Sequence, residues 1–165
     1  MRKVLISLVY LSLLLVFSAS ACKKQKLPSG DHSFYCYIDG ELFVPKGDPN
    51  FTTSPYDDGL RISITDNFYQ IEANDYSKYT VFINIKDIHS SVINLSESSG
   101  SFLDFEKNHA IVKKNGVKYL SKNNSGRIVL IENTDENVKG TFEFTLYNEN
   151  DESDVIHVTG GHFDD

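Results

Sequence analysis

The sequence predicts an all-β domain, either an antiparallel sandwich or an up-and-down, partly open barrel of about ten short strands. Three observations carry that expectation. Apolar and polar residues alternate with a period of two through most of residues 34–163, as in half-buried strands. Asp39-Gly40 and Asn115-Gly116 fall between such runs, and both dipeptides favour two-residue hairpin turns. No segment keeps a helical period over about ten residues, although Ile85–Ser91 has room for a short helix.

The elements follow in order. Phe34–Ile38 and Glu41–Val44 flank the Asp39-Gly40 turn. Leu60–Thr65 sets Leu60, Ile62 and Ile64 against Arg61, Ser63 and Thr65, and Asp66-Asn67 turns it into Phe68–Ala73. Tyr79–Lys86 places Tyr79, Val81, Ile83 and Ile85 on one face. Ser90–Leu95, Phe102–Glu106, His109–Lys113 and Val117–Leu120 are shorter runs, the last two joined by Asn115-Gly116. Gly126–Glu132 is rich in Ile, Val and Leu. A polar turn leads from it to Val138–Tyr147, where Val138, Gly140, Phe142, Phe144 and Leu146 share a face. That is the pattern of an antiparallel strand with one wet side. Asp154–Phe163 closes the domain, with Gly160-Gly161 marking a bulge.

The N-terminus reads as an address. Arg2 and Lys3 precede an apolar run, Val4–Phe17, interrupted only by Ser7 and Ser12. The run is shorter than the ~20 residues a bilayer crossing needs, and Lys23, Lys24 and Lys26 follow the small residues that end it. A charged start, a short apolar core and a small-residue cleavage zone make an export signal. Ala19-Ser20-Ala21-Cys22 resembles a lipobox, although Ala19 stands where a bulkier aliphatic residue is usual. The expectation is therefore a lipoprotein signal peptide over 1–21, a lipidated tether over 22–33 beginning at Cys22, and a single all-β domain over 34–165. Lys-Lys-Gln-Lys-Leu-Pro-Ser-Gly has the composition of a flexible linker.

Charge narrows the partners. The chain has 16 basic and 23 acidic residues. Cleavage after Ala21 removes two of the basic residues and none of the acidic ones, which leaves a net charge of −9. Such a domain repels the phosphates of nucleic acid. The expected attachment is to a membrane through the lipid, with Lys23–Lys26 beside the headgroups. With Cys22 acylated, Cys36 is alone and cannot form an internal disulfide. It shares a face with Phe34 and Ile38 and reads as a small buried hydrophobe.

No group of residues spells out a catalytic or metal site. The histidines are His32, His89, His109, His157 and His162. His157 and His162 are five apart, on opposite strand faces unless the Gly160-Gly161 bulge resets the register. Acidic clusters stand at Asp57-Asp58, Asp135-Glu136, Asp151–Asp154 and Asp164-Asp165. The segment Asn148–Asp154 comes nearest to a calcium loop, but lacks the central glycine and terminal glutamate of that signature. It reads as a solvated hairpin turn. No Gly-x-Ser-x-Gly elbow and no phosphate-binding glycine loop occurs. No cofactor is expected. Tyr35 and Tyr37 alternate against Phe34, Cys36 and Ile38, so the first strand offers a tyrosine-lined face suited to protein or carbohydrate contact.

Three segments carry a family resemblance: Gly126–Ile131, Gly140-Thr141-Phe142-Glu143-Phe144, and Val158-Thr159-Gly160-Gly161-His162-Phe163-Asp164. Together they resemble the ending of a family of small Bacteroidota-type lipoproteins. Tyr37-Ile38-Asp39-Gly40-Glu41-Leu42-Phe43 is similar to that family's opening hairpin. The resemblance covers most of the mature chain apart from 46–58 and 97–122, and it implies no activity and no functional residue. In such bacteria, acidic residues after the lipidated cysteine resemble a surface-display signal. The lysines here favour an outer-membrane lipoprotein facing the periplasm. The expected function is a non-enzymatic binding or interaction module. The alternatives are a small envelope hydrolase acting through carboxylates and a barrel that carries a small apolar ligand.

Overall fold

The computed structural model describes residues 33–47, 58–65, 68–86, 88–134 and 137–164. Residues 1–32, over which the signal peptide, the lipidated Cys22 and most of the tether are expected and which include His32, lie outside these residues, as do Asp57, the Asp66-Asn67 turn, Asp135-Glu136 and Asp165. Eleven strands occur among the described residues, and no helix does: β1 Phe34–Ile38, β2 Glu41–Phe43, β3 Leu60–Ile64, β4 Tyr69–Asn74, β5 Tyr79–Ile85, β6 Val92–Asn94, β7 His109–Lys114, β8 Val117–Leu120, β9 Gly126–Asn133, β10 Val138–Asn148 and β11 Val155–Asp164. The predicted short helix at 85–91 is therefore not formed: Ile88-His89 is a turn. Every strand pairing is antiparallel.

The strands form one curled sheet, an open half-barrel, in the order β2-β1-β11-β10-β8-β7-β5-β4-β3. A branch leaves it at β10. Residues Val138–Phe144 of β10 pair with β9, which in turn carries β6, whereas Tyr147 and Asn148 pair with β8. One long strand thus hands over from one neighbour to another. At one rim the β2 end of the path meets the β4–β5 turn. Lys46 N donates to Asn74 O at 3.0 Å, and the Phe43 ring meets Tyr79 edge-on at 6.1 Å.

Alternation decides which face is buried. Val138, Gly140, Phe142, Phe144 and Leu146 point inward, as their spacing predicts, while Thr141 and Glu143 are exposed. Phe142 is the hub of the core. Its ring lies 5.4 Å from Phe34, 5.2 Å from Phe144 and 6.2 Å from Phe163. Each such ring contributes about 1.5–3 kcal/mol by burial. Cys36 is fully buried, and that burial pushes its thiol pKa up, so it behaves as a core residue.

Glycines make room for these rings. Across the ladder Gly126 faces Phe144, Gly140 faces Phe163 and Gly161 faces Phe142. A β-carbon on Gly140 would stand 2.5 Å from the Phe163 ring, and one on Gly161 would stand 2.3 Å from the Phe142 ring. The glycine-then-aromatic pattern of the C-terminal third is therefore a packing device. Each phenylalanine folds across the bare backbone of its cross-strand partner.

Phe102–Glu106 is not a strand, contrary to expectation. It belongs to a strap, residues 95–108, that crosses the outer face of β4, β5 and β7. Phe102 stacks on Phe82 at 4.1 Å and Phe105 on Phe68 at 4.5 Å. The first residues of the strap bond to backbone, Leu95 N to Gly126 O at 2.9 Å and Ser98 N to Ser121 O at 2.9 Å, while carbonyls in its middle, with no ladder to join, take side-chain donors, as buried polar groups require. Gln70 Nε2 donates to Phe102 O at 2.9 Å, Asn84 Nδ2 donates to Phe102 O at 3.3 Å and to Asp104 O at 3.4 Å, and Lys118 Nζ donates to Gly100 O at 3.1 Å.

His109 lies beneath the strap, 1% exposed, with Nε2 at 3.3 Å from Asn84 Nδ2. Burial holds its pKa below the usual histidine value, partly offset by Asp104. A depressed histidine contributes stability that is complete above its unfolded pKa of about 6.5 and is lost as pH falls through the folded value. The urea midpoint is therefore expected to drop between pH 7.5 and pH 5. His109→Gln, which keeps an acceptor for Asn84, is expected to remove most of that drop. An equal drop in the variant would show that His109 is not its source.

Candidate functional site

The histidines and acids marked in the sequence separate in space. His89 is exposed in a turn and His109 is sealed under the strap. Asp58 Oδ1 accepts from Leu60 N at 3.1 Å and starts β3. The segment Asn148–Asp154 is a self-capped hairpin turn. Asp151 Oδ1 accepts from Ser153 N at 3.0 Å and from Ser153 Oγ at 2.7 Å, while Glu152 pairs with Lys122. Asp154 Oδ2 accepts from Tyr119 Oη at 2.8 Å and from Asn148 Nδ2 at 2.8 Å. Burial, then Asp154, pushes the Tyr119 pKa up to about 12. Asp151 and Asp154 thus use carboxylate oxygens within the hairpin turn. Among the described residues no three His, Cys, Asp or Glu side chains gather where a metal ion could sit.

The Gly160 bulge does bring His157 and His162 to one face. Phe142 pairs with Gly161 but Phe144 pairs with Val158, so Thr159 and Gly160 together oppose Glu143. Gly160 has φ 57°, the left-handed conformation that such a bulge asks of glycine. The extra residue restores the outward direction, and both histidines lie on the wet side of β11.

That wet side is the candidate site. One row of outward residues crosses five strands: Val92 on β6, Val129 on β9, Thr141 on β10, His162 on β11 and Tyr35 on β1. The next row holds Asn94, Arg127 and Glu143, which faces the bulge. Beyond it Thr145 pairs with His157, their Oγ1 and Nδ1 atoms 3.1 Å apart. Two surface hollows adjoin here. One, of about 330 Å³, is lined by Tyr35, Val129, Thr141, Gly160 and His162, and the other, of about 340 Å³, by Asn94, Asn124, Thr145, His157 and Thr159. Both also touch Arg127 and Glu143.

Arg127 and Glu143 form the ridge between the hollows. Arg127 Nε and Nη2 both lie 2.9 Å from Glu143 Oε1, with the side chains 60% and 54% exposed. A pair so open to water adds at most about 1 kcal/mol to stability, so its donors and acceptors can be re-partnered at little cost. At one end the Tyr35 and His162 rings pack at 5.3 Å with a tilt of 31°. Burial lowers the His162 pKa, against the pull of Asp164.

The tyrosine-lined face is only half as expected. Tyr35 stands in the hollow, but Tyr37 is 5% exposed. The reason is the shortness of β2, which pairs with residues 36–38 only. Tyr37 is flanked by Leu42 on one side and Thr159 on the other, while among the described residues no strand pairs with Tyr35 on its outer side. Arg127, Glu143, Asn94, Asn124 and Thr145 were not singled out by sequence. No local motif marks them, because they converge only through the pairing of β6, β9, β10 and β11. Searches against protein-family models, curated proteins and solved structures find no match for this chain.

Proposed function

We propose that this chain is a lipid-anchored envelope protein of the small Bacteroidota-type lipoprotein family, held at the outer membrane through Cys22 and facing the periplasm. Its domain works there as a non-enzymatic binding module, and its contact surface is the outer face of β1, β11, β10 and β9. The observation that carries this reading is the double hollow divided by the Arg127–Glu143 ridge. It offers aromatic, hydrogen-bonding and charged groups on rigid strands, the arrangement that holds a site in register.

Two features favour this reading over its alternatives. A glycosidase-type hydrolase needs a pair of carboxylates, whereas among the described residues Glu143 is the one carboxylate lining the two hollows and it is engaged by Arg127. A carrier of apolar ligands needs an open interior, whereas Phe34, Phe142, Phe144 and Phe163 fill the inner side of the sheet here. The test is histidine footprinting in the intact envelope. His157 and His162 are expected to react more slowly there than in the purified chain.

A further inference from the structure

We propose that the double hollow takes a neutral saccharide chain of at least two rings, laid across the Arg127–Glu143 ridge with one ring against Tyr35. This rests on the reading of that face as the binding surface and specifies its ligand class. Charge favours a neutral ligand. Arg127 and Glu143 cancel, and the remaining side chains on the lining are uncharged or histidine. A polyanion would meet Glu143 on a strongly acidic domain, and a polycation, though drawn to that domain, would have to displace Arg127 from Glu143. A neutral ligand meets neither penalty and can use both groups as hydrogen-bond partners.

The site lies on a sheet face. An extended peptide is best held by adding a strand to a sheet edge, through main-chain hydrogen bonds. Here β11, β10 and β9, which carry the ridge, each have a strand on both sides, so recognition across the ridge falls to side chains, and the edge beside Tyr35 on β1 lies at the margin of the site. Those available are Thr141, Thr145, Thr159, Asn94 and Asn124, with the charged ridge between them. Threonine and asparagine side chains both donate and accept, as sugar hydroxyls do. Each hollow is at the lower end of the size range for small-ligand sites, and the two lie side by side, which suits linked rings better than one.

One end of the site is aromatic. Tyr35 is packed on His162 and half-buried, so its ring is already oriented and little rotamer freedom remains to be lost on binding. A ring with an apolar body and a polar tip suits a ligand whose one face is C–H and whose rim is hydroxyl. Gly160, bare of a side chain at the bulge, keeps the floor beside it open.

The test uses the full-length acylated chain in detergent, immobilised, with soluble oligosaccharides as analytes. The array holds neutral glucan, xylan, mannan, galactan and chitin fragments, with oligouronates and extended hexapeptides beside them. The expected result is saturable binding of a neutral fragment, weaker by about tenfold or more for its monosaccharide, a factor of ten being 1.4 kcal/mol. Tyr35→Ala and Arg127→Ala are each expected to weaken it by a similar factor while circular dichroism shows the fold retained. Tyr35→Phe retains binding, and Lys113→Ala, away from the hollows, has no effect. The proposal is overturned if no neutral fragment binds, or if binding ignores both Tyr35→Ala and Arg127→Ala. Oligouronates or peptides binding with the same dependence would overturn the ligand class and leave the binding face standing. Histidines equally reactive in the envelope and in the purified chain would remove the face itself.

Discussion

Gly161→Ala is expected to melt about 10 °C below the natural chain, the shift that about 3 kcal/mol produces in a domain of this size. The added β-carbon would stand 2.3–2.5 Å from three atoms of the Phe142 ring. That ring cannot swing aside, because Phe34, Phe144 and Phe163 pack around it. Overpacking a filled core costs about 1–3 kcal/mol, and a ring enclosed by three others puts this site at the upper end. Thermal melts followed by circular dichroism measure the loss. The mechanism has its own check in Gly161→Ala combined with Phe142→Leu. Contacting residues couple, so the double variant is expected to lose less than the two single losses together. Simple additivity would show that the ring is not what the new methyl group strikes.

Cys22→Ala is expected to move the chain completely from the membrane fraction to the soluble periplasmic one, and to abolish acyl labelling. Insertion of acyl chains contributes about 0.8 kcal/mol per buried methylene, and two or more chains give stable anchoring where one is marginal. Lys23, Lys24 and Lys26 remain in the variant, but three cations near headgroups are worth only about 1 kcal/mol each and do not hold a protein through a salt wash. Retention of label and of membrane association after the substitution would contradict the anchor.

These two expectations come from opposite ends of the chain, and they differ in how legible they were. The lipobox-like Ala19–Cys22 is local, so it can be read without a structure. The strands of the C-terminal third are nearly as local. Alternation along Val138–Tyr147 identifies the buried face correctly, and Asp39-Gly40 and Asn115-Gly116 sit at hairpin turns. The strap was misread because Phe102 and Phe105 are apolar but lack partners at strand spacing. They bury themselves against Phe82 and Phe68 instead, a tertiary solution that no local period reveals.

The candidate site was less legible because it depends on register. Tyr35 and His162 are 127 positions apart in the numbering and meet only through the β1–β11 pairing. Two bulges complete the arrangement. The β9–β10 turn alone would set Arg127 opposite Phe144, but the register shift beside Ile131 sets it opposite Glu143. The Thr159-Gly160 bulge turns His157 and His162 to the same side. Gly160-Gly161 was recognisable as a bulge in the sequence, which left the histidine pair as a conditional reading. Nothing in the sequence marked the bulge at Ile131, and so nothing pointed to the ridge.

The central claim is that the outer face of β1, β11, β10 and β9 is occupied where the protein works. Carbethoxylation of histidines in intact cells, compared with the purified full-length chain, tests it most directly. His89 is exposed in its turn and His109 is buried, so they serve as the fast and slow references within the same molecule. The account predicts that His157 and His162 react several-fold more slowly in the envelope while His89 is unchanged. Equal rates for His157 and His162 in both settings would contradict it.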